Sequence, residues 1–476
     1  MLFNSAQFLI FFPLTVIIYF FLPSQLRLGF LFIASCIFYL FGTPWYIAVI
    51  FLSIFIDYFA ARLLEKTKGS KRFFILCISL ASNIGLLVFF KYFNFINQNI
   101  SWISSFFGFH INPFIITIGL PLGLSFHTFQ GMSYVIEVYK KRYKPEKNIL
   151  KYALYVMFFP QLASGPIERP QQLLQQISKK VTFEYMHARN GIRLILWGML
   201  KKVAVADRIG VFVDPVFANP SNYNSISLFL ASILFAFQIY YDFSGYVDIA
   251  RGAAEVLGYR LEVNFDNPYL STSIQEFWRR WNITLSFWFR DYVYIPLGGN
   301  RVSLFKTIRN LFITFFLCGL WHGAAWHYVA WGVLNGFYLM ICHLKASFKR
   351  TQHIIFPAYI SIPFTFVFVC ISWIFFRAQS IGNAFYILKI IFSSVIDHTT
   401  IGNFMSSIFL QQNKPEFFII VFFIVIIELV QIRTGKIMQL FNNQPLAIRW
   451  TIYSSLLWVI ILAGEFGKTS FIYYSF

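Results

Sequence analysis

The sequence predicts an all-α polytopic membrane protein, and three observations carry that expectation. Charged residues make up 12% of the 476 residues, against roughly 25% in soluble domains, while 58% are hydrophobic. Apolar runs near the length of about 20 residues that an α-helix needs to cross a bilayer recur along the chain, with none of the short alternation of a barrel strand. The charge that remains is basic, with 39 basic against 19 acidic residues giving +20, and it gathers in short loops between apolar runs. Such loops are orientation signals, not a nucleic-acid surface.

Taken in order, the first run, residues 6–22, has no Lys or Arg before it. It lacks the positive flank of a cleavable signal and is expected to stay as a transmembrane helix. Further spans are expected at 28–41, 46–61, 73–90, 113–138, 152–162, 192–206, 226–241, 247–257, in two halves of 311–342, and at 357–376, 417–430 and 450–462. That gives about eleven crossings, with re-entrant or interfacial helices making up the rest. Basic clusters at 62–72, 140–151, 345–350 and 433–436 are expected on the cytoplasmic side, and the sparsely charged linkers 91–112 and 380–416 opposite them, which puts the N-terminus outside. Glycine and proline interruptions gather in the middle third: Pro121 with Gly123, Pro160, Gly165 with Pro166, Pro170, Gly245, Pro268, and Pro296 with Gly298 and Gly299. Broken backbone at membrane depth must be buried in protein or line a cavity, so a cavity is expected there. No soluble domain or internal repeat interrupts residues 1–476, which read as one membrane domain. The five cysteines lack metal or disulfide spacing, and no metal site is indicated.

Two segments carry the chemistry. In residues 277–301 (FWRRWNITLSFWFRDYVYIPLGGNR), arginines stand among tryptophans. Thr272 with Gln275 and Ser273 with Glu276 both fit a capping box, so a helix is expected to start near Thr272. On that helix Phe277, Trp278, Trp281, Leu285, Trp288 and Phe289 share one arc, and Glu276, Arg279, Arg280, Asn282, Ser286 and Arg290 the other. From spacing alone the pattern fits first an interfacial helix with snorkelling arginines; the sharper alternative is a polar face lining a cavity that holds an anion.

The second segment, residues 319–332 (GLWHGAAWHYVAWG), sets His322 and His327 within the apolar run 311–342. A run of about 32 residues would make a helix of roughly 48 Å, too long for a core of about 30 Å, so it must break. The expected break is at 319–323, around Trp321 and His322, deep in the membrane. A histidine there is either a buried structural imidazole or a general base for a hydroxyl nucleophile. His327 is expected to be structural. Gly332 and Gly336 form a pair that lets helices pack closely. Asp248 is expected to pair with Arg251, and Asp242 with a distant arginine among Arg279, Arg280 and Arg290.

Together with residues 120–140 (LPLGLSFHTFQGMSYVIEVYK), 158–170 (FFPQLASGPIERP), 241–252 (YDFSGYVDIARG) and 373–378 (WIFFRA), these segments resemble the membrane-bound O-acyltransferase superfamily, in particular its bacterial alginate O-acetyltransferase-like branch. The resemblance implies helices around a central polar tunnel, with a catalytic core at roughly 113–342, where an acyl group from a cytosolic thioester meets a hydroxyl acceptor at a buried histidine. The matching histidine is His322. The second characteristic position is Asn282, where alginate-type relatives often carry histidine, so His322 is the one evident base and Asn282 a group that orients the acceptor or polarises the thioester. Arg279, Arg280, Trp278, Asp242 and Trp321 are the expected substrate- and donor-binding residues.

The function so implied is O-acylation, foremost O-acetylation from acetyl-CoA, of an extracytoplasmic polysaccharide or envelope polymer, in a bacterial inner membrane, with a periplasmic acyltransferase as partner and membrane lipids around it. No bound cofactor and no nucleic-acid partner is expected. Two alternatives stand beside it: D-alanyl transfer from an acyl carrier protein to teichoic acid, and a polysaccharide or lipid transporter. A transporter would carry paired breaks in two repeated halves, and these are missing from the sequence.

Overall fold

The computed structural model describes residues 1–42, 44–117, 119–348, 357–394, 422, 444–465 and 471, and every regular element among them is helical. The chain divides into two compact units, one made of residues 1–195 and 246–262, the other of 196–245 and 263–476. Six helical stretches among the described residues are long and apolar enough to cross a membrane: Pro44–Lys66, Gly69–Phe106, Ser225–Val256, Leu304–His322, Ala358–Arg377 and Leu446–Ala463.

The first unit contains α1 (Ala6–Phe21), α2 (Ser24–Leu40), α3 (Ile47–Lys66), α4 (Gly69–Leu87), α5 (Phe93–Phe106), α6 (Leu124–Tyr139), α7 (Ile149–Met157), α8 (Phe159–Leu162), α9 (Leu173–Ile177) and most of α10 (Tyr185–Met199). Side chains start two of them: Ser5 accepts from the Phe8 N–H ahead of α1, and Asn148 from Leu150 and Lys151 ahead of α7. Helix α6 is buried over nearly its whole length. Against it lies Asp57 of α3, whose Oδ1 accepts from Ser79 Oγ and Asn83 Nδ2 of α4, both at 2.7 Å. A Cβ at Gly131 of α6 would overlap the other carboxylate oxygen, so this polar cluster locks three helices together.

The second unit continues α10 through a π-type turn, Leu200–Ala206, into α11 (Asp207–Ala218). There follow α12 (Ser225–Val256), whose last turns belong to the first unit, then α13 (Ile274–Arg280), α14 (Ile283–Phe289), α15 (Leu304–His322), α16 (Trp326–Phe348), α17 (Ala358–Arg377), α18 (Ile381–Ser394) and α19 (Leu446–Ala463). Its centre is aromatic. Trp281, Trp331 and Trp373 are each 1% exposed, with ring centroids 4.9 Å apart for Trp281 and Trp373 and 5.9 Å for Trp331 and Trp373.

Several sequence expectations change. Gly245 does not separate two spans at 226–241 and 247–257, because α12 runs unbroken through it. The glycine instead admits a neighbouring backbone: a Cβ there would stand 2.8 Å from Gly198 O and 3.1 Å from Lys202 N. The expected span 113–138 is helical only from Leu124, since Pro121 and Gly123, at φ 70°, end an irregular stretch before α6. The expected linker 91–112 is helical to Phe106, and its amides bond within that helix: Asn97 donates to Phe93 O at 3.0 Å and Asn99 to Phe95 O at 2.7 Å. The expected linker 380–416 begins with α18, started by Ser380, whose Oγ accepts from Asn383 N. The expected span 417–430, apart from Phe422, the cluster 433–436 and the side chains of 345–350 lie outside the described residues.

Candidate active site

The break expected at 319–323 is present. Helix α15 ends at His322, Gly323 is extended, and α16 returns antiparallel from Trp326. Glycines let the two backbones meet: a Cβ at Gly332 would overlap Phe315 O, one at Gly319 would overlap Tyr328 O, and one at Gly323 would overlap the Tyr328 ring. His322 therefore sits at the closed end of a helical hairpin, 4% exposed. Its ring has Trp321 and Trp331 at 4.9 Å and Phe376 at 5.2 Å, all edge-on.

A second break was not expected. Residues 274–289 form two short helices, α13 and α14, separated at Trp281 and Asn282, with Asn282 left-handed at φ 41°, ψ 58°. That conformation costs most residues about 1–2 kcal/mol, and asparagine tolerates it best after glycine. Both ends of the break are satisfied from upstream: Asp266 N donates to Arg280 O at 3.0 Å, Ile283 N to Asn264 O at 2.9 Å, and Thr284 N to Asn264 Oδ1 at 3.1 Å. The capping box near Thr272 forms as Ser273 with Glu276, the Ser273 Oγ accepting from Glu276 N at 3.2 Å and Glu276 Oε2 accepting from Thr272 N at 2.8 Å.

The apolar arc is buried as expected, but Asn282, expected on the polar arc, is 1% exposed. The break turns it inward. Among the described residues neither Oδ1 nor Nδ2 of its side chain has a hydrogen-bond partner. A buried amide left this way costs about 1–3 kcal/mol.

Rings link the two breaks. Trp281, next to Asn282, contacts Trp373; Trp373 stacks on Trp331; Trp331 meets His322. Beside this wall lies a cavity of about 780 Å³. Arg279, Arg290 and Arg301, all exposed, mark its mouth, and buried Trp278, Leu285, Cys318 and Leu339 its floor. Cys318 stands one turn before His322 on α15, and Leu285 and Ser286 one turn after Asn282, so the cavity reaches within a turn, about 5.4 Å of axis, of both. Among the described residues no carboxylate lines it, though Arg290 at its mouth is paired with the neighbouring Asp291 at 2.7 Å. Neither Arg279 nor Arg301 has an ion-pair partner among the described residues. The arrangement offers cationic donors for an anionic head and a narrow apolar floor for an uncharged tail.

The profile of the membrane-bound O-acyltransferase family matches residues 145–384, which span α7 to α17 and both breaks. The chain belongs to this family. A peptidoglycan O-acetyltransferase of Helicobacter pylori is 34% identical over 426 residues, covering 82% of this chain and 79% of that protein. A probable alginate O-acetylase AlgI of Pseudomonas putida is 36% identical over 397 residues, 81% of this chain and 79% of its own length. A teichoic acid D-alanyltransferase of Bacillus subtilis is more distant, at 28% over 273 residues, 54% of this chain and 69% of the relative. The protein is thus an O-acyltransferase and a multi-pass membrane protein, which sets the transporter reading aside.

Within the acyltransferase the expected site residues separate. Trp278 and Arg279 line the cavity, whereas Trp321, His322 and Asn282 are not among its lining residues and meet it only through neighbours on their own helices. Arg280 is off the cavity lining, its guanidinium held by Glu276 at 2.6 Å. Asp242 is also off the lining, and it pairs with a lysine: Lys202 Nζ is 2.5 Å from it and 2.7 Å from Asp207, in a buried triad. Its signal was Lys201-Lys202 inside the apolar run 192–206, where a lysine demands a carboxylate. Asp248 pairs with Arg251 at 3.4 Å as expected, and His327 lies with its Nδ1 3.2 Å from the Phe375 carbonyl. Arg301 and Asn335 escaped sequence reasoning; the first lay beyond the helical arc, the second in an apolar helix without a pattern of its own.

Proposed function

We propose that this acyltransferase moves an acetyl group from cytosolic acetyl-CoA to a hydroxyl of an extracytoplasmic polysaccharide or peptidoglycan-like polymer, in the inner membrane of a bacterium. The observation that supports this reading is the cavity with guanidinium groups at its mouth, whose lining residues Cys318 and Leu285 stand about one helical turn along the chain from His322 and Asn282. Arg279, Arg290 and Arg301 suit the phosphates of the donor. The acyl thioester would lie along Trp278 and Leu285 toward the two breaks. His322 takes the proton as the acceptor oxygen attacks the thioester carbonyl, the C–S bond breaks, and the thiol leaves with that proton. Asn282 Nδ2, buried and without a hydrogen-bond partner among the described residues, stabilises the developing oxyanion. A relay, in which His322 itself receives the acyl group before the acceptor, uses the same two residues. The similarity to a peptidoglycan O-acetyltransferase and to alginate O-acetylases supports acetyl as the group and a glycan as acceptor, directly or through a separate periplasmic acyltransferase.

Membranes containing the protein, given either labelled acetyl-CoA or a labelled D-alanyl carrier protein, test the donor. Label from acetyl-CoA is expected in alkali-labile esters of the polymer, with a donor KM raised about tenfold in Arg301→Ala, one charged contact being worth roughly 1.5 kcal/mol. Label from the carrier alone would replace this reading with the D-alanyl one.

A further inference from the structure

The cavity wall and the histidine are joined through one side chain that no motif marks. Trp278 lines the cavity and donates its indole Nε1–H to Asn335 Oδ1 at 3.3 Å. Asn335 is 2% exposed and its Nδ2 donates to Trp331 O, one turn back on α16, at 2.8 Å. The Trp331 ring then stands edge-on to Trp278 at 5.6 Å and edge-on to His322 at 4.9 Å. Both ends of a buried amide are thus spent on the two tryptophans that flank the route from cavity to base.

An asparagine inside an apolar helix is expensive where leucine would fill the space, and its bond to the preceding turn of its own helix gives α16 nothing the backbone lacks. The acceptor oxygen explains the choice. It is the partner the Trp278 indole N–H needs once that ring is buried. Trp278 sits on α13, just ahead of the Asn282 break, and Trp331 on the hairpin that carries His322.

We infer that Asn335 is a positioning residue for acyl transfer: it holds the Trp278 indole in register with Trp331, so that a donor lying against Trp278 keeps a fixed distance from His322. This deepens the proposed function and rests on the cavity being the donor site. Misplacement by about 1 Å far from the reacting atoms can cost about 100-fold in rate, so the effect belongs in kcat and not in donor affinity, which the guanidinium groups set.

The test compares Asn335→Leu, Trp278→Phe and the double variant, each at normal level in the membrane. Expected is a fall in kcat of about tenfold or more in each single variant, donor KM within about twofold, and a double variant no slower than the slower single one. An unchanged kcat in either single variant, a loss seen in KM alone, or losses that multiply in the double variant would overturn the inference. If Asn335→Leu fails to accumulate, Asn335→Ala, which removes the acceptor oxygen without adding a branched side chain, takes its place and is read by the same criteria, since Trp278→Phe removes part of the ring together with the N–H donor. Total ester-linked acyl groups in the envelope of cells making each variant report transfer whatever the donor. Wild-type esters without label from acetyl-CoA would therefore sink the donor reading, while ester content across the variants still decides the role of Asn335.

Discussion

The two breaks that frame the site are built in opposite ways. The α15–α16 hairpin turns on glycines whose missing side chains let two backbones touch, and it delivers a histidine whose ring is packed on three sides. The α13–α14 break has neither glycine nor proline; it rests on one left-handed asparagine and on hydrogen bonds from Asn264 and Asp266 upstream, and it delivers an amide with no partner among the described residues. The difference assigns different burdens. At the glycine break sequence serves packing, and at the asparagine break one residue holds the backbone turn and, in the proposed mechanism, also serves the chemistry.

The largest effect that could break this comparison is at Gly332. In Gly332→Val the side chain meets Phe315 O and the Gly319 backbone, both rigid, so a loss of about 3 kcal/mol or more is expected. Little folded protein should reach the membrane, as immunoblots and detergent melting curves would show; wild-type amounts with wild-type melting would mean the hairpin is not held by this approach. Asn282 gives a smaller and differently distributed effect. Asn282→Gly keeps the left-handed turn and should melt close to wild type while losing about 100-fold in kcat, the loss of one oxyanion donor. Asn282→Ala should lose the same activity and about 1 kcal/mol of stability besides. Equal melting of the two variants would remove the backbone half of the role, and near-normal kcat in Asn282→Gly the chemical half.

What was legible follows the same division. Glycine pairs and an over-long apolar run announced the hairpin, and the capping box announced the start of α13, because these signals are local. The asparagine break was hidden, since Trp281 and Asn282 fit the two arcs of one helix, Ile283 spoils the polar arc without erasing it, and the groups that satisfy the broken ends lie at 264–266, reachable only in three dimensions. The arc of tryptophans was right even across the break, as α13 and α14 both turn their aromatic faces inward; only Asn282 changed sides. Asp242 shows the same limit, its Lys202 partner being forty residues away. Gly245 shows the converse, a residue that can break a helix serving instead to admit a neighbour.

The most direct measurement is transfer of labelled acetyl from acetyl-CoA into alkali-labile esters of envelope polymer by membranes containing wild type or His322→Ala at equal protein level. Loss of His322, the base of the proposed mechanism, is expected to slow transfer by about 1000-fold, which leaves label at background. Label in His322→Ala at a rate near wild type would contradict a site built on that histidine.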